Sequence, residues 1–330
     1  MLKRLIHVAY FVKSCDWKKL RKQSSYVQSA FHQSRFSQFR SMLRDAFKYG
    51  MQFHDYYYFG FYQKSESEKK EYASMSFMHA LHKKFNTNSE ILNDKLLFNE
   101  KYSEFVKRGW LNLQNSDTKT IEDFIRGKDK VVLKRSKGTV GKDVLIVDTN
   151  TITSNELERK AKKEHYNLME EFVYQHHDLQ ALSPNSLNTI RIITMLKSDN
   201  NVDIFCSLLR MGVDKKTDNF STGGIAALID VSSGRVSEDA ISIDISESSY
   251  SCHPVSKMKI KGFQIPYWDE CIKMVEAAAR KYPENKTVGW DVAVCEGGPV
   301  LIEGNHNWGI RMVQMTVGGV KKRLLKYMEE

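Results

Sequence analysis

Residues Gly289 to Gly309 read GWDVAVCEGGPVLIEGNHNWG, two apolar runs around a Glu-Gly-Gly-Pro turn. This pattern predicts a β-hairpin. Side chains two apart on a strand share a face, so Glu303 and Asn305 point the same way. With a three-residue loop, Gly297 to Pro299, Asp291 lies opposite Asn305 on that face. Two carboxylates and a carboxamide then converge, an oxygen set suited to Mg²⁺. Mg²⁺ held by few protein ligands usually also holds substrate phosphates, so nucleotide chemistry leads.

The chain has 330 residues, enough for two or three domains with sizeable cores. No run approaches the roughly 20 apolar residues needed to span a bilayer. Met1 to Val12 is a short apolar stretch interrupted by His7 and lacking a small-residue cleavage site; it reads as a helix start. Cys15, Cys206, Cys252, Cys271 and Cys295 are odd in number and scattered, with no CxxC pair. That argues against a disulfide framework or zinc site and for a reducing, cytosolic setting. The net charge is +10, and residues 1–50 carry +9 of it, eleven Lys/Arg against Asp16 and Asp45. Such a segment suits contact with anionic lipid, at the inner membrane face, or with a polyanionic substrate. A solvated helix surface explains it equally well.

Residues 1–88 read as a helical, aromatic-rich N-terminal region, with no Pro before residue 184. The cluster from Asp55 to Tyr62 reads as packing between helices, with a membrane-surface role as the alternative. Ser65 followed by Glu68 signals a capped helix start, and Ser89 to Arg108 a second helix. The pattern then changes. Lys130–Lys134 and Asp143–Val147 read as a hairpin around a Gly-rich basic loop, and Thr153–Lys163 as a helix. Strands are expected at Tyr166–Val173, Ile190–Leu196, Val202–Met211 and Ile225–Val231, and a helix at Trp268–Lys281. The fold class is α+β, with expected divisions at 1–88, 89–175 and 176–330.

In the loop Ser136–Lys142, Gly138 and Gly141 let backbone N–H groups approach an anion, with Lys134, Lys137 and Lys142 supplying charge. It is not a Walker A loop, because Gly141-Lys142 is followed by Asp143. Arg191, flanked by β-branched residues, is costly to bury unpaired and faces either a ligand or a structural carboxylate. The stretch Asn219-Phe220-Ser221-Thr222-Gly223-Gly224 reads as a loop that closes over substrate or as an ordinary turn. His176-His177 and His253-Pro254 show no metal-ligand partners at useful spacing.

The order of these features resembles the ATP-grasp superfamily, in its sugar-transfer-associated branch of bacterial polysaccharide biosynthesis. The likeness rests on Leu133-Lys134, Gly138 to Lys142, Asn188-Thr189-Ile190-Arg191, Asn219 to Gly224, Gly289-Trp290-Asp291, Leu301 to Asn305 and Trp308-Gly309, and covers roughly 90–325. The resemblance implies two α/β subdomains gripping ATP. It implies that Lys134 contacts the nucleotide phosphates and that Ser136, Gly138, Thr139, Gly141 and Lys142 belong to the lid. Glu170, Glu171, Phe172 and Val173 match the linker that holds adenine and ribose, with Asp178 assisting at the ribose. Arg191 would bind the γ-phosphate or acyl phosphate, and Asp291, Glu303 and Asn305 would hold Mg²⁺. Asn188, Arg210, Asn219, Ser221, Gly223 and Gly224 are the candidate substrate contacts. One departure is that residues 1–85 lack the strand–helix alternation of the Rossmann-like domain with which many superfamily members begin.

The expected activity is an ATP-dependent carboxylate–amine ligase that modifies a sugar or glycan precursor through an acyl phosphate. Kinase activity at the same site, a polyanion-binding protein and a non-catalytic scaffold are the alternatives. No recognised nucleic-acid module is visible, which disfavours nucleic acid as partner.

Overall fold

The computed structural model of the chain describes residues 2–138, 144–213 and 218–329; Thr139, Gly141 and Lys142 of the lid loop lie outside them. Six helices come first: α1 (Leu2–Lys13), α2 (Trp17–Phe31), α3 (Arg35–Tyr49), α4 (Phe53–Tyr58), α5 (Glu66–Lys70) and α6 (Met75–Phe85). Asp16, Ser34, Ser65 and Ser74 each accept a bond from a backbone N–H three residues on, which satisfies an otherwise orphaned donor. At Ser65 the Glu68 side chain returns the bond and completes the expected capping box. The aromatic run packs inward: Tyr56, Tyr57, Phe59 and Phe61 are buried with Leu20, Val27 and Met42.

The single helix expected from Ser89 to Arg108 is three short ones, α7 (Glu90–Asn93), α8 (Lys95–Lys101) and α9 (Ser103–Val106). Asp94 causes the first break. Its backbone is extended and its carboxylate accepts from the N–H of Leu96, offering that donor an alternative to a continuous helix.

A four-stranded antiparallel sheet follows, built from β1 (Trp110–Asn112), β2 (Lys130–Lys134), β3 (Val144–Asp148) and β4 (Leu168–Glu171) in the order β1-β4-β2-β3. Helices α10 (Thr118–Ile125) and α11 (Ser154–Lys163) bury Ile121, Leu157 and Ala161 against Val131, Leu133 and Met169.

After α12 (His177–Leu182) comes a larger antiparallel sheet of β5 (Thr189–Leu196), β6 (Val202–Met211), β7 (Ile225–Asp230), β8 (Arg235–Val236), β9 (Ile241–Ser242), β10 (Thr287–Cys295) and β11 (Gly298–Asn305). The order is β11-β10-β5-β6-β7-β8, with β9 pairing β7. One face is covered by α13 (Trp268–Lys281) and by α7–α9, the other by α6, α14 (Ile310–Val317) and α15 (Lys321–Glu329). Covering both faces explains why β5 reads as an almost unbroken apolar run: Ile190 and Ile192 enter one core, Ile193 and Met195 the other. Helices α6 to α9, from both sides of residue 88, all pack on the large sheet.

The C-terminal hairpin departs from its expected register. Cys295 pairs with Gly298, so the loop is Glu296-Gly297 and not Gly297 to Pro299. A bulge at Ile302 then shifts the pairing, placing Asp291 opposite Glu303 and Gly289 opposite Asn305. Without that extra residue Asp291 would face Ile302, and Glu303 would leave the site face. Gly289 is the residue this geometry requires, since a Cβ there would stand 2.4 Å from Cβ of Trp308.

Candidate active site between the two sheets

Pairing across four strands of the large sheet assembles one row of charge. Thr189 pairs with Arg210, Arg191 with Asp291, and Asp291 with Glu303. Arg191 grips Asp291 through two nitrogens, Nη2 at 3.0 Å from Oδ2 and Nε on Oδ1. Arg210 reaches the same carboxylate at 2.9 Å and Asp218 at 3.0 Å. Asp218 also accepts from Thr189. Burial raises the Asp291 carboxyl, but the charges of Arg191 and Arg210 outweigh it and hold it below the usual range. Burial and the Asp291 charge both push Glu303 up. Burial likewise raises Asp218, against the pull of Arg210.

The small sheet presents a second cluster. Lys134 on β2 and Glu170 on β4 are diagonal neighbours on one face, and Lys134 Nζ bonds the Glu170 carboxylate. Arg108 binds the same group at 2.8 Å, and Asn99 donates to it at 2.7 Å. Arg108 also donates to the carbonyls of Leu301 and Ile302 on β11, so it ties the two sheets together. Burial raises Glu170, but Arg108 and Lys134 outweigh it and hold the carboxyl below its ordinary value. Burial pushes the Lys134 ammonium down, despite Glu170.

Between the two clusters runs a cleft of about 1280 Å³. Of the residues singled out in the sequence, Lys134, Gly138, Glu170, Glu171, Phe172, Val173, Arg191, Arg210, Asn219, Ser221, Asp291, Glu303 and Asn305 line it. Val132, Ile146 and Ile302 add apolar wall beside Phe172 and Val173.

Five of the singled-out residues sit off the cleft wall. Ser136 is buried and pinned by Asn167, which accepts from its N–H and donates to its hydroxyl. Asn188 is buried, with its carboxamide bonded to Gln175 Oε1 and the Leu179 and Ser183 carbonyls; that leaves no donor for a substrate. Asp178 is exposed beside His176 and His177. Gly223, with φ 107°, shapes the turn, and a Cβ on Gly224 would collide with the Asp218 carbonyl at 2.7 Å.

The His176-His177 pair does acquire a partner: Glu296, from the hairpin turn, lies 3.0 Å from His177 Nδ1 and 3.8 Å from His176 Nε2. The two rings stack at 4.2 Å, and His176 Nδ1 accepts from the N–H of Asp178, so this is a hydrogen-bonded surface cluster.

Arg108, Lys95, Asp218 and Arg311 belong to the site without any motif that singles them out. Lys95 donates to the Gly138 carbonyl at 2.8 Å. Arg311 lines the cleft while its Nε bonds buried Asp55 at 2.6 Å, so the N-terminal helices support this part of the wall. Met75 of α6 lines it too. The only sequence signal for Asp218 is an acid a few residues beyond Arg210 in a polar loop.

Asp291, Glu303 and Asn305 fit a divalent cation. Asn305 Nδ2 lies 3.4 Å from Glu303 and 3.5 Å from Asp291, so all three side chains converge. With Asp291 buried and Glu303 half-buried beside it, a second negative charge carries a cost, and the Glu303 carboxyl is raised by burial and by Asp291. A dication bound there would remove that cost, with the Asn305 amide turned to present its oxygen.

A cleft between two antiparallel sheets, walled on one side by a lysine strand and closed on the other by an Asp/Glu-x-Asn hairpin, is ATP-grasp architecture. The chain belongs to the sugar-transfer associated ATP-grasp family, whose profile matches residues 63–330. The match begins within the region expected as N-terminal, at the link between α4 and α5. Among curated proteins none matches the chain. Similar solved structures include the ATP-grasp ligase PsnB complexed with minimal precursor (11% identity, 74% of this chain and 64% of that chain, TM-score 0.45). The D-alanine-D-alanine ligase from Coxiella burnetii is similar at 9% identity, 72% and 58% coverage and TM-score 0.43. N5-carboxyaminoimidazole synthetase from Staphylococcus aureus, complexed with ADP, is similar at 10% identity, 66% and 45% coverage and TM-score 0.40. The chain spans under two thirds of the length of each of these proteins. Among the described residues no helix is long and apolar enough to cross a membrane.

Proposed function

We propose that the protein is an ATP-dependent ligase that joins a carboxylate to an amine, one of them carried by a sugar or glycan precursor. The observation that carries this reading is the pair of opposed cation clusters, Lys134 with Arg108 and Arg191 with Arg210, lining one cleft with Asp291, Glu303 and Asn305. Polyphosphate needs fixed positive charge on both sides, and phosphoryl transfer needs mostly positioning and charge stabilisation.

In this scheme the apolar wall of Val132, Ile146 and Phe172 takes the adenine, and Lys134 binds the phosphates. Mg²⁺ at Asp291, Glu303 and Asn305 supplies neutralisation of phosphate charge. Arg191 and Arg210, which grip Asp291 in this structure, turn part of their hydrogen bonding to the γ-phosphate. A substrate carboxylate oxygen attacks the γ-phosphorus, and the bond to ADP breaks. The amine then attacks the acyl carbon, phosphate leaves, and the amine proton passes to solvent. Arg311 and Met75 place the N-terminal helices beside the acceptor.

Calorimetry with a non-hydrolysable ATP analogue, with and without Mg²⁺, tests the nucleotide site. Binding that strengthens with Mg²⁺ is expected, with the gain lost in Glu303→Ala. Product mass after turnover with sugar acids and amino acids tests the chemistry: an amide plus ADP and phosphate is expected. A stable phosphorylated acceptor would make the protein a kinase, and a folded chain that binds no nucleotide would make it a scaffold.

A further inference from the structure

Of fourteen large apolar side chains exposed among the described residues, seven lie in residues 1–50, so exposure is concentrated in one short segment. Helix α1 is apolar on two sides. Val8 and Phe11 pack into the helical core, while Leu5, Ile6 and Tyr10 face out. Its neighbour α3 presents Phe36, 77% exposed, and Phe39. Exposed apolar side chains concentrated on two neighbouring helices mark an interaction site.

The charge of this segment is predominantly positive, with Lys22 paired to Asp244 and Arg44 and Lys48 to Glu66. Residues 1–50 carry +9, and of their two acids only Asp16 is exposed. Asp45 is buried and bound to Lys69 at 2.8 Å, and Asp16 caps α2 as an exposed carboxylate. Lys13, Lys18, Arg21, Arg35 and Arg40 are exposed and form no ion pair among the described residues.

We propose that α1 and the outward face of α3 dock on an anionic lipid bilayer. The aliphatic and aromatic side chains enter the boundary between headgroups and acyl chains, and the surrounding Lys and Arg meet lipid phosphates. A second copy of this surface would set exposed Lys and Arg such as Lys13, Lys18 and Arg21 against their own kind. Nucleic acid answers the charge but leaves Leu5 and Ile6 without a partner, since aliphatic side chains give bases nothing to stack on. The proposal is independent of the ligase reading.

The test is sedimentation of the full chain with vesicles of phosphatidylcholine alone or mixed with phosphatidylglycerol, at low and high salt. Binding to the mixed vesicles only is expected, weakening with salt. Each of Lys18→Glu and Arg21→Glu should weaken it by about fivefold or more. Phe36→Ser with Phe39→Ser should weaken it roughly tenfold while thermal unfolding stays unchanged, both rings being exposed. Absence of binding, indifference to lipid charge, or a Phe double variant that binds like the parent would overturn the proposal. So would retention of polynucleotide without vesicle binding, or dimerisation abolished by the Phe changes.

Discussion

On the small sheet Glu170 is held by Lys134 and Arg108; on the large sheet Asp291 is held by Arg191 and Arg210 and stands opposite a second carboxylate, Glu303. Both central carboxylates are buried and held below the usual range by two cations. Their partners differ in one respect. A lysine that loses its counter-ion can shed its proton, whereas an arginine cannot. In the small-sheet cluster Lys134 can therefore relax by neutralising, leaving Arg108 as its one fixed charge, whereas the large-sheet cluster keeps two. The large sheet has the complementary freedom: Glu303 and Asp291 crowd each other, so that wall gains most from a bound cation.

The contrast breaks most visibly at Asp291. Asp291→Ala leaves two buried arginines facing each other without their shared anion, and should cost about 3–5 kcal/mol in urea unfolding. A loss under about 1 kcal/mol would mean that Asp218 and Glu303 take both arginines over, and the two walls would then be equivalent. Glu170→Ala should cost less, about 2–3 kcal/mol at neutral pH, because Lys134 can lose its charge.

Alkaline titration sharpens the same point. Burial already lowers the Lys134 pKa from its ordinary 10.5 in the folded chain, and removing Glu170 removes the attraction that opposes burial. The folded pKa then lies further below the unfolded one, so the unfolded chain binds more protons between the two values. Stability must rise with pH through that window. Unfolding profiles between about pH 7 and 10 should show Glu170→Ala gaining on the parent, while Asp291→Ala keeps a constant deficit. Parallel profiles for the two variants would remove lysine neutralisation as the cause of the difference.

The legible part of this site is the part written as anomalies within regular strands. Arg191 and Asp291 stand out because each interrupts an apolar run with a polar group, and Glu303 and Asn305 because they follow one directly at strand spacing. Lys134 stands out only through its place between an apolar strand and a Gly-rich loop. Arg108 offers no such contrast, sitting at the end of an apparently ordinary helix. Its role appears only when Lys107, at φ 55°, ends α9 and the next side chain meets Glu170 and β11. The bulge at Ile302 is equally silent, since Val300-Leu301-Ile302 carries no Gly or polar residue to mark an extra position. Asn188 shows the reverse case: a polar group ahead of an apolar strand that is consumed by carbonyls at the C-terminal end of α12.

The smallest expected change in stability carries the most about function. Burial and the Asp291 charge push the Glu303 carboxyl up. Glutamine matches the protonated acid in shape and removes the repulsion, so Glu303→Gln should unfold within about 1 kcal/mol of the parent, on the stabilising side if it differs. The same change replaces an anionic ligand by a neutral one, and should cut the Mg²⁺-dependent part of ATP-analogue binding roughly tenfold or more. Urea unfolding and calorimetry on one preparation separate the two effects. Binding lost with stability intact places Glu303 in the ligand set and leaves the fold to the arginine pairs. Stability lost along with binding makes the residue part of the framework, and the asymmetry between the two walls then reduces to lysine against arginine alone.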